Sequence, residues 1–298
     1  MGMAQSGKAH IACKRYGGCK RYGCCKRSAC CKRYDCREGR ARPTGRRIPH
    51  RRQSLLAVMV LMLSGLSLSV PAHAACPSGF NGTAVFGIDI CAGKGIAAGG
   101  LAHAAAVMTG ILDFDGDGAP DNAAVVRGLA AQQAAFVVVS SERQARRFAR
   151  RSGRENFTIV FDDEMVRRGP DFDPTLEEAL HLVTQFGYAE TYPEDFGEYA
   201  GSRIADLMDI ARGGRFARVP HRYPANAVYH YDDRSCDYAC QVTEFTYWAI
   251  TSMRGQQQMP GRAAEIDDEW QLNSRAAITA GFTELAAFLA QPAFALLP

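Results

Sequence analysis

A mixed α/β fold is what this sequence predicts, with a small sheet and helices in the first half of the mature chain and mostly helices in the second. Short β-branched and aromatic runs alternate with helical runs up to residue 161, only helical runs follow, and turn residues punctuate both regions. Strands are expected at 84–90, 135–140 and 157–161. Helices are expected between them at 96–112, 121–133 and 142–151. The second half should hold helices at 174–186, 202–212, 237–253 and 274–290. The 174–186 helix is well punctuated: Asp173 suits the cap, Pro174 the first turn and Gly187 the stop. Gly213 and Gly214 similarly should end the helix that carries Asp206 and Asp209. Residues 76–298 are enough for one domain with a real core.

What precedes that domain is of a different kind. Arg51 and Arg52 followed by the apolar stretch 55–70 read as an export signal ending in Ala72-His73-Ala74-Ala75-Cys76, with cleavage after Ala74 or Ala75. His73 argues against a lipid anchor on Cys76, and the arginine pair also admits twin-arginine export. Upstream, Cys13, Cys19, Cys25 and Cys31 recur every six residues, each followed by Lys-Arg. Residues 1–50 lack the apolar side chains for a core and should be disordered, or a tandem repeat lying before the true start. The expected location is secreted or periplasmic, with no membrane association after signal cleavage.

The formal net charge of +4 belongs to the precursor. Residues 1–75 hold 16 of the 35 Lys+Arg and 2 of the 31 Asp+Glu, leaving 35 − 16 = 19 basic and 31 − 2 = 29 acidic residues, or −10, in 76–298. That balance argues against nucleic acid as a general partner. Four cysteines remain: Cys76, Cys91, Cys236 and Cys240. In an exported chain they favour disulfides, and of three pairings Cys76–Cys91 with Cys236–Cys240 closes the shortest loops. A four-cysteine zinc site is the alternative.

Three clusters carry candidate chemistry. In 113–121, Asp113, Asp115, Asp117, Gly116 aside, and Asp121 stand at the ligand positions of a calcium loop, although Ala124 takes the place of the closing glutamate. The alternative is a solvated acidic turn. In the 174–186 helix, Glu177-Glu178-Ala179-Leu180-His181 matches the H-E-x-x-H metallopeptidase pattern with glutamate for the first histidine. Residues at i and i+4 share a helix face, so Glu177 and His181 can grip one ion while Glu178 addresses a water beside it. The alternative is a surface helix with two glutamates at its positive end. In 237–253, Glu244 sits among Val242, Phe245, Tyr247, Trp248 and Ile250, and a buried carboxylate needs a partner. Asp206, Asp209, Asp232, Asp233 and Asp237 are further ligand candidates, though turn and surface roles suit them better. His103 and His221 are read as local structural residues.

These two helices resemble the gluzincin group of zincin-like metallopeptidases, in which a glutamate from a second helix completes the metal site. The resemblance covers the central and C-terminal half. It implies Glu177, His181 and Glu244 as metal ligands, Glu178 as the general base, and Tyr231, His230 or Tyr247 as the donor to the developing oxyanion. Two anionic ligands tilt the expected metal from zinc toward manganese, iron or calcium. The expected activity is hydrolysis of a peptide or protein substrate. The alternative is a non-catalytic calcium-binding protein or an inactive descendant.

Overall fold

The computed structural model describes residues 75–169 and 171–297. The repeat in 1–50 and the export signal, except for Ala75, lie outside the described residues. A four-stranded sheet in the order β1 (Phe80–Val85), β2 (Ile88–Gly93), β3 (Ala135–Val139), β4 (Phe157–Phe161) forms the frame, with β1–β2 antiparallel and the other two pairs parallel. The expected strand at 84–90 is thus a hairpin. Phe86 and Gly87 both take positive φ, 49° and 83°, and form a two-residue loop between Val85 and Ile88. Such a loop needs positive φ at both central positions, and Phe86 masks it because an aromatic residue reads as strand.

Helices α1 (Ala98–Leu112) and α2 (Ala123–Ala131) connect β2 to β3, and α3 (Glu142–Ser152) connects β3 to β4. The two connections lie on opposite faces. Ile88, Ile90, Phe136 and Val138 pack into the large core with Met108 and Leu129, whereas Cys91, Val137 and Val139 pack with Ala145 and Phe148 of α3. Because β2, β3 and β4 are parallel and adjacent in order, crossovers on opposite faces have opposite hands. One of them is therefore the uncommon left-handed form.

The C-terminal helices build on the first of these faces. They are α4 (Pro174–Val183), a π-helical segment (Thr184–Tyr188), α5 (Ala189–Thr191), α6 (Pro193–Phe196), α7 (Arg203–Ala211), α8 (Tyr238–Met253), α9 (Arg262–Ile266), α10 (Arg275–Gly281) and α11 (Thr283–Leu289). Gly187 does not stop its helix as expected. It lies inside the π-helical turn, where a Cβ would come within 2.7 Å of Val125 Cγ1 on α2. Close approach, not helix termination, accounts for a glycine there. The expected helix at 274–290 is broken at Phe282, which takes an extended φ of −150° between α10 and α11. Every residue of α8 from Cys240 to Met253 is buried, so this helix is the axis of the C-terminal half. Disulfides join Cys76 to Cys91 and Cys236 to Cys240. They point to an oxidising, extracellular environment. Among the described residues no helix is long and apolar enough to cross a membrane.

Candidate metal centre

Helix α4 is held in place before it presents any side chain. Asp173 caps it, accepting from Thr175 N at 3.0 Å and Thr175 Oγ1 at 2.7 Å, and from Val166 N at 3.1 Å. Its second oxygen lies 2.6 Å from His103 Nε2 on α1, so His103 has the structural role expected of it. Thr158 of β4 donates to the backbone oxygen of Glu178 at 2.7 Å, fixing the helix against the sheet edge. Helix α8 starts on Asp237, which accepts from Cys240 N at 3.2 Å. Both helices that supply the site therefore have firmly set origins.

Where the two helices meet, Glu177, His181 and Glu244 each bring one ligand atom to within 4.8 Å of the others. His181 Nε2 and Glu244 Oε2 are 3.5 Å apart. Two ligands on one tetrahedral ion at bonds of 2.0–2.2 Å are separated by about 3.3–3.6 Å, so the spacing suits a shared ion. It is long for a hydrogen bond, and the geometry is not that of one: Nε2 is a buried polar atom without a hydrogen-bond partner. His181 is 7% and Glu244 4% exposed, while Glu177 and Glu178 are partly exposed. Solvent thus reaches the group from the glutamate side of α4. Glu177, His181 and Glu244 can hold a metal ion.

The electrostatics point the same way. Burial pushes the His181 imidazole toward its neutral form, but Glu244, Glu178 and Glu177 around it override this and hold its proton on well above the usual histidine range. Burial likewise pushes Glu178 up to about 8; His181 opposes the shift, and Glu177, Glu244 and Glu164 add to it. Three carboxylates packed about one imidazole require positive charge, either as bound protons or as a cation.

Around this group the structure brings in residues that sequence reasoning missed. Glu198, between α6 and α7, accepts from Thr243 Oγ1, which in turn accepts from Gln185 Nε2 of the π-helical turn at 2.9 Å. Burial raises the Glu198 carboxyl to about 7, against the hydrogen bonds from Thr243 and Gln185 and the attraction of His181. Thr243 neighbours Glu244 in sequence, so the network backs the ligand's own helical turn. A signal existed in the polar Thr243-Glu244 pair inside an apolar helix, but nothing in the sequence tied Gln185 or Glu198 to it.

Of the expected proton donors, Tyr247 lies beside the site. Its ring meets His181 edge-on at 5.7 Å between centroids, and its hydroxyl accepts from Gln257 Nε2 at 2.9 Å. Tyr231 packs beside Tyr229 at 6.5 Å, and Tyr223 Oη accepts its backbone N–H. His230 meets Tyr223 edge-on at 5.1 Å between ring centroids. The spare aspartates have structural partners: Asp209 with Arg212, Arg215 and Tyr238, Asp206 with Arg215, and Asp233 with the Ser235 amide. His221 Nδ1 lies 3.0 Å from an Arg234 guanidinium nitrogen.

In the acidic loop, Asp113, Asp115 and Asp117 each offer one oxygen within 4.8 Å of the others. Asp121 is not one of that group, and its carboxylate accepts from Phe114 N at 2.8 Å. The loop's amides already engage the carboxylates: Asp113 accepts from Asp117 N and Gly118 N, and Asp117 from Ala119 N. This is the hydrogen bonding of a turn that closes on itself. No family model, curated protein or solved structure matches the chain.

Proposed function

We propose that this chain is an exported metal-dependent hydrolase of peptide or amide bonds, with zinc, manganese or iron held by Glu177, His181 and Glu244. One observation carries the reading: three donor atoms from two firmly set helices converge, and the buried nitrogen among them makes no hydrogen bond. A divalent ion there supplies an acidified water and a Lewis acid. The chain's own residues do the rest. Glu178, partly exposed and with its carboxyl raised to about 8, in its ionised form takes up a proton from the attacking water and returns it to the leaving amine. Tyr247, its ring against His181, is better situated than Tyr231 to donate to an oxyanion. Two anionic ligands reduce the polarising power of the ion, so a slow enzyme is expected. Calcium held by Asp113, Asp115 and Asp117 belongs to the same proposal as a structural ion, with Asp121 closing the loop rather than joining them. The two disulfides support export.

A second reading is favoured by the burial of His181 and Glu244: a non-catalytic calcium-binding or inactive zincin-like protein in which these two form a buried ion pair. Metal content separates the readings. The exported form, purified without chelator, is measured by plasma mass spectrometry beside Glu244→Ala and the milder Glu244→Gln. The proposal expects about one equivalent of transition metal, lost in both variants. Calcium alone, unchanged by either substitution, would sink the hydrolase reading.

A further inference from the structure

On the face of the sheet away from the metal centre, α3 carries a concentration of charge opposite to that of the domain. Arg143, Arg146, Arg147, Arg150, Arg151 and Arg154 fall within twelve residues, six of the 19 basic residues left in 76–298. The five from Arg143 to Arg151 lie on α3, where their spacing of three and four places them on one side of the helix, and Arg154 follows the turn at Gly153. Ala145 and Phe148 occupy the opposite side, buried against Cys91, Val137 and Val139 of the sheet. The stripe is therefore set outward by the packing of the helix. Arg143, Arg146, Arg150 and Arg151 are exposed.

Only part of this charge is neutralised. Arg154 pairs with Asp89, and Arg146 pairs with Glu142 at 2.8 Å. Among the described residues no carboxylate pairs with Arg143, Arg147, Arg150 or Arg151; Arg151 donates to Ser78 O at 3.0 Å. The acidic loop at 113–121 joins α1 to α2, which lie on the other face of the sheet. Positive and negative charge are thus separated across the sheet, which orients the molecule in the field of an anionic surface.

We propose that α3 is a docking face for an anionic lipid bilayer, bound by its headgroup phosphates. Guanidinium is the group of choice for phosphate because its planar donors bond two oxygens at once, and the exported chain holds only one lysine, Lys94, beside its arginines. Phe148, the helix's one large apolar side chain, is fully buried, so the contact is electrostatic and peripheral with no insertion. The disulfides point to an oxidising, extracellular environment, where the outer surface of a membrane is within reach. Docked in this way, the protein holds α4 and α8 away from the bilayer and open to soluble substrate. It departs from the expectation of no membrane association after signal cleavage, and it stands whether or not the Glu177, His181 and Glu244 cluster is catalytic.

Sedimentation with vesicles of equal phosphatidylglycerol and phosphatidylcholine, against pure phosphatidylcholine, tests the inference on the exported form. Binding is expected to the anionic vesicles alone, and to fall steeply between about 50 mM and about 300 mM salt. Combined Arg143→Glu, Arg147→Glu and Arg150→Glu should weaken it by about a hundredfold. The Arg→Gln set at the same positions, checked for unchanged circular dichroism, guards against misfolding and should weaken binding less. No binding by the wild type, or equal binding by the variants, would overturn the inference. Binding to duplex DNA in place of vesicles would overturn the lipid assignment.

Discussion

Glu198 shows at the scale of one residue how the surroundings of the Glu177, His181 and Glu244 cluster set protonation. Burial lifts its carboxyl from 4.5 to about 7, so the folded protein holds a proton that the unfolded chain releases near 4.5. The resulting stability is fully present below about pH 4.5 and is lost as pH rises to about 7, because the native state binds the extra proton throughout that window. Glu198→Gln removes the titration while keeping the shape. In chelator, its melting temperature should fall less than that of wild type from pH 5 to pH 7, and above pH 7 it should be the more stable by about 1–2 kcal/mol. Parallel pH profiles would refute the raised carboxyl of Glu198. Glu178 is to be read by a different pair of measurements. Glu178→Gln should retain the metal and lose hydrolysis by at least about a hundredfold, since it removes a proton acceptor and no ligand. Loss of metal in that variant would make Glu178 a ligand instead. That Glu177, His181 and Glu244 would converge was legible because i, i+4 spacing and a lone carboxylate in an apolar helix are local patterns. Glu198 and Gln185 were not, since they reach Thr243 from segments 45 and 58 residues away, and no periodicity encodes such a meeting.

Among the elements, α4 and its π-helical extension show how local rules and tertiary packing divide the work. The start of α4 was legible: Asp173 and Pro174 are a cap and a first-turn residue whatever surrounds them. Its end was not, because the role of Gly187 depends on α2. With Val125 Cγ1 2.7 Å and Leu129 Cγ 3.1 Å from the site of an added Cβ, Gly187→Ala must displace a buried, β-branched side chain with little freedom to move. Alanine would favour a helical backbone by about 1 kcal/mol. Overpacking of a tight core costs about 1–3 kcal/mol, so the net effect should be destabilising, read as a lower urea midpoint with unchanged slope. A stabilised variant would mean that α2 and the π-helical turn are further apart than described. The same distinction explains the sheet. β3 and β4 were recognisable from runs of β-branched and aromatic residues, whereas β1 and β2 merged into one expected strand because their turn uses a phenylalanine. The opposite hands of the two crossovers were not written in any local pattern.

For the whole molecule, the two disulfides should differ in what they stabilise. Chain-entropy reasoning ranks them by loop length: Cys76–Cys91 spans 15 residues and Cys236–Cys240 spans 4. Removing the first should cost roughly 3 kcal/mol and the second roughly 2 kcal/mol. Their positions reverse that order for the site. Cys76–Cys91 fastens the segment before β1 to β2, on the face that packs against α3. Cys236–Cys240 ties the residue before the Asp237 cap to the first turn of α8, and Cys240 stands one helical turn before Glu244 on the same ridge. The turn is further tied down by Gln241, which donates to Cys236 O at 3.4 Å and accepts from the buried Arg212 at 2.6 Å. Releasing the bridge therefore frees the end of the element that aims Glu244, while releasing the other leaves it set. Paired Cys→Ala variants, compared by urea unfolding in chelator and by metal titration, should show the larger loss of stability for Cys76/Cys91 and the larger loss of metal affinity, about tenfold, for Cys236/Cys240. Equal losses of affinity in the two variants would mean that Glu244 is positioned by the global core and not by the first turn of its helix.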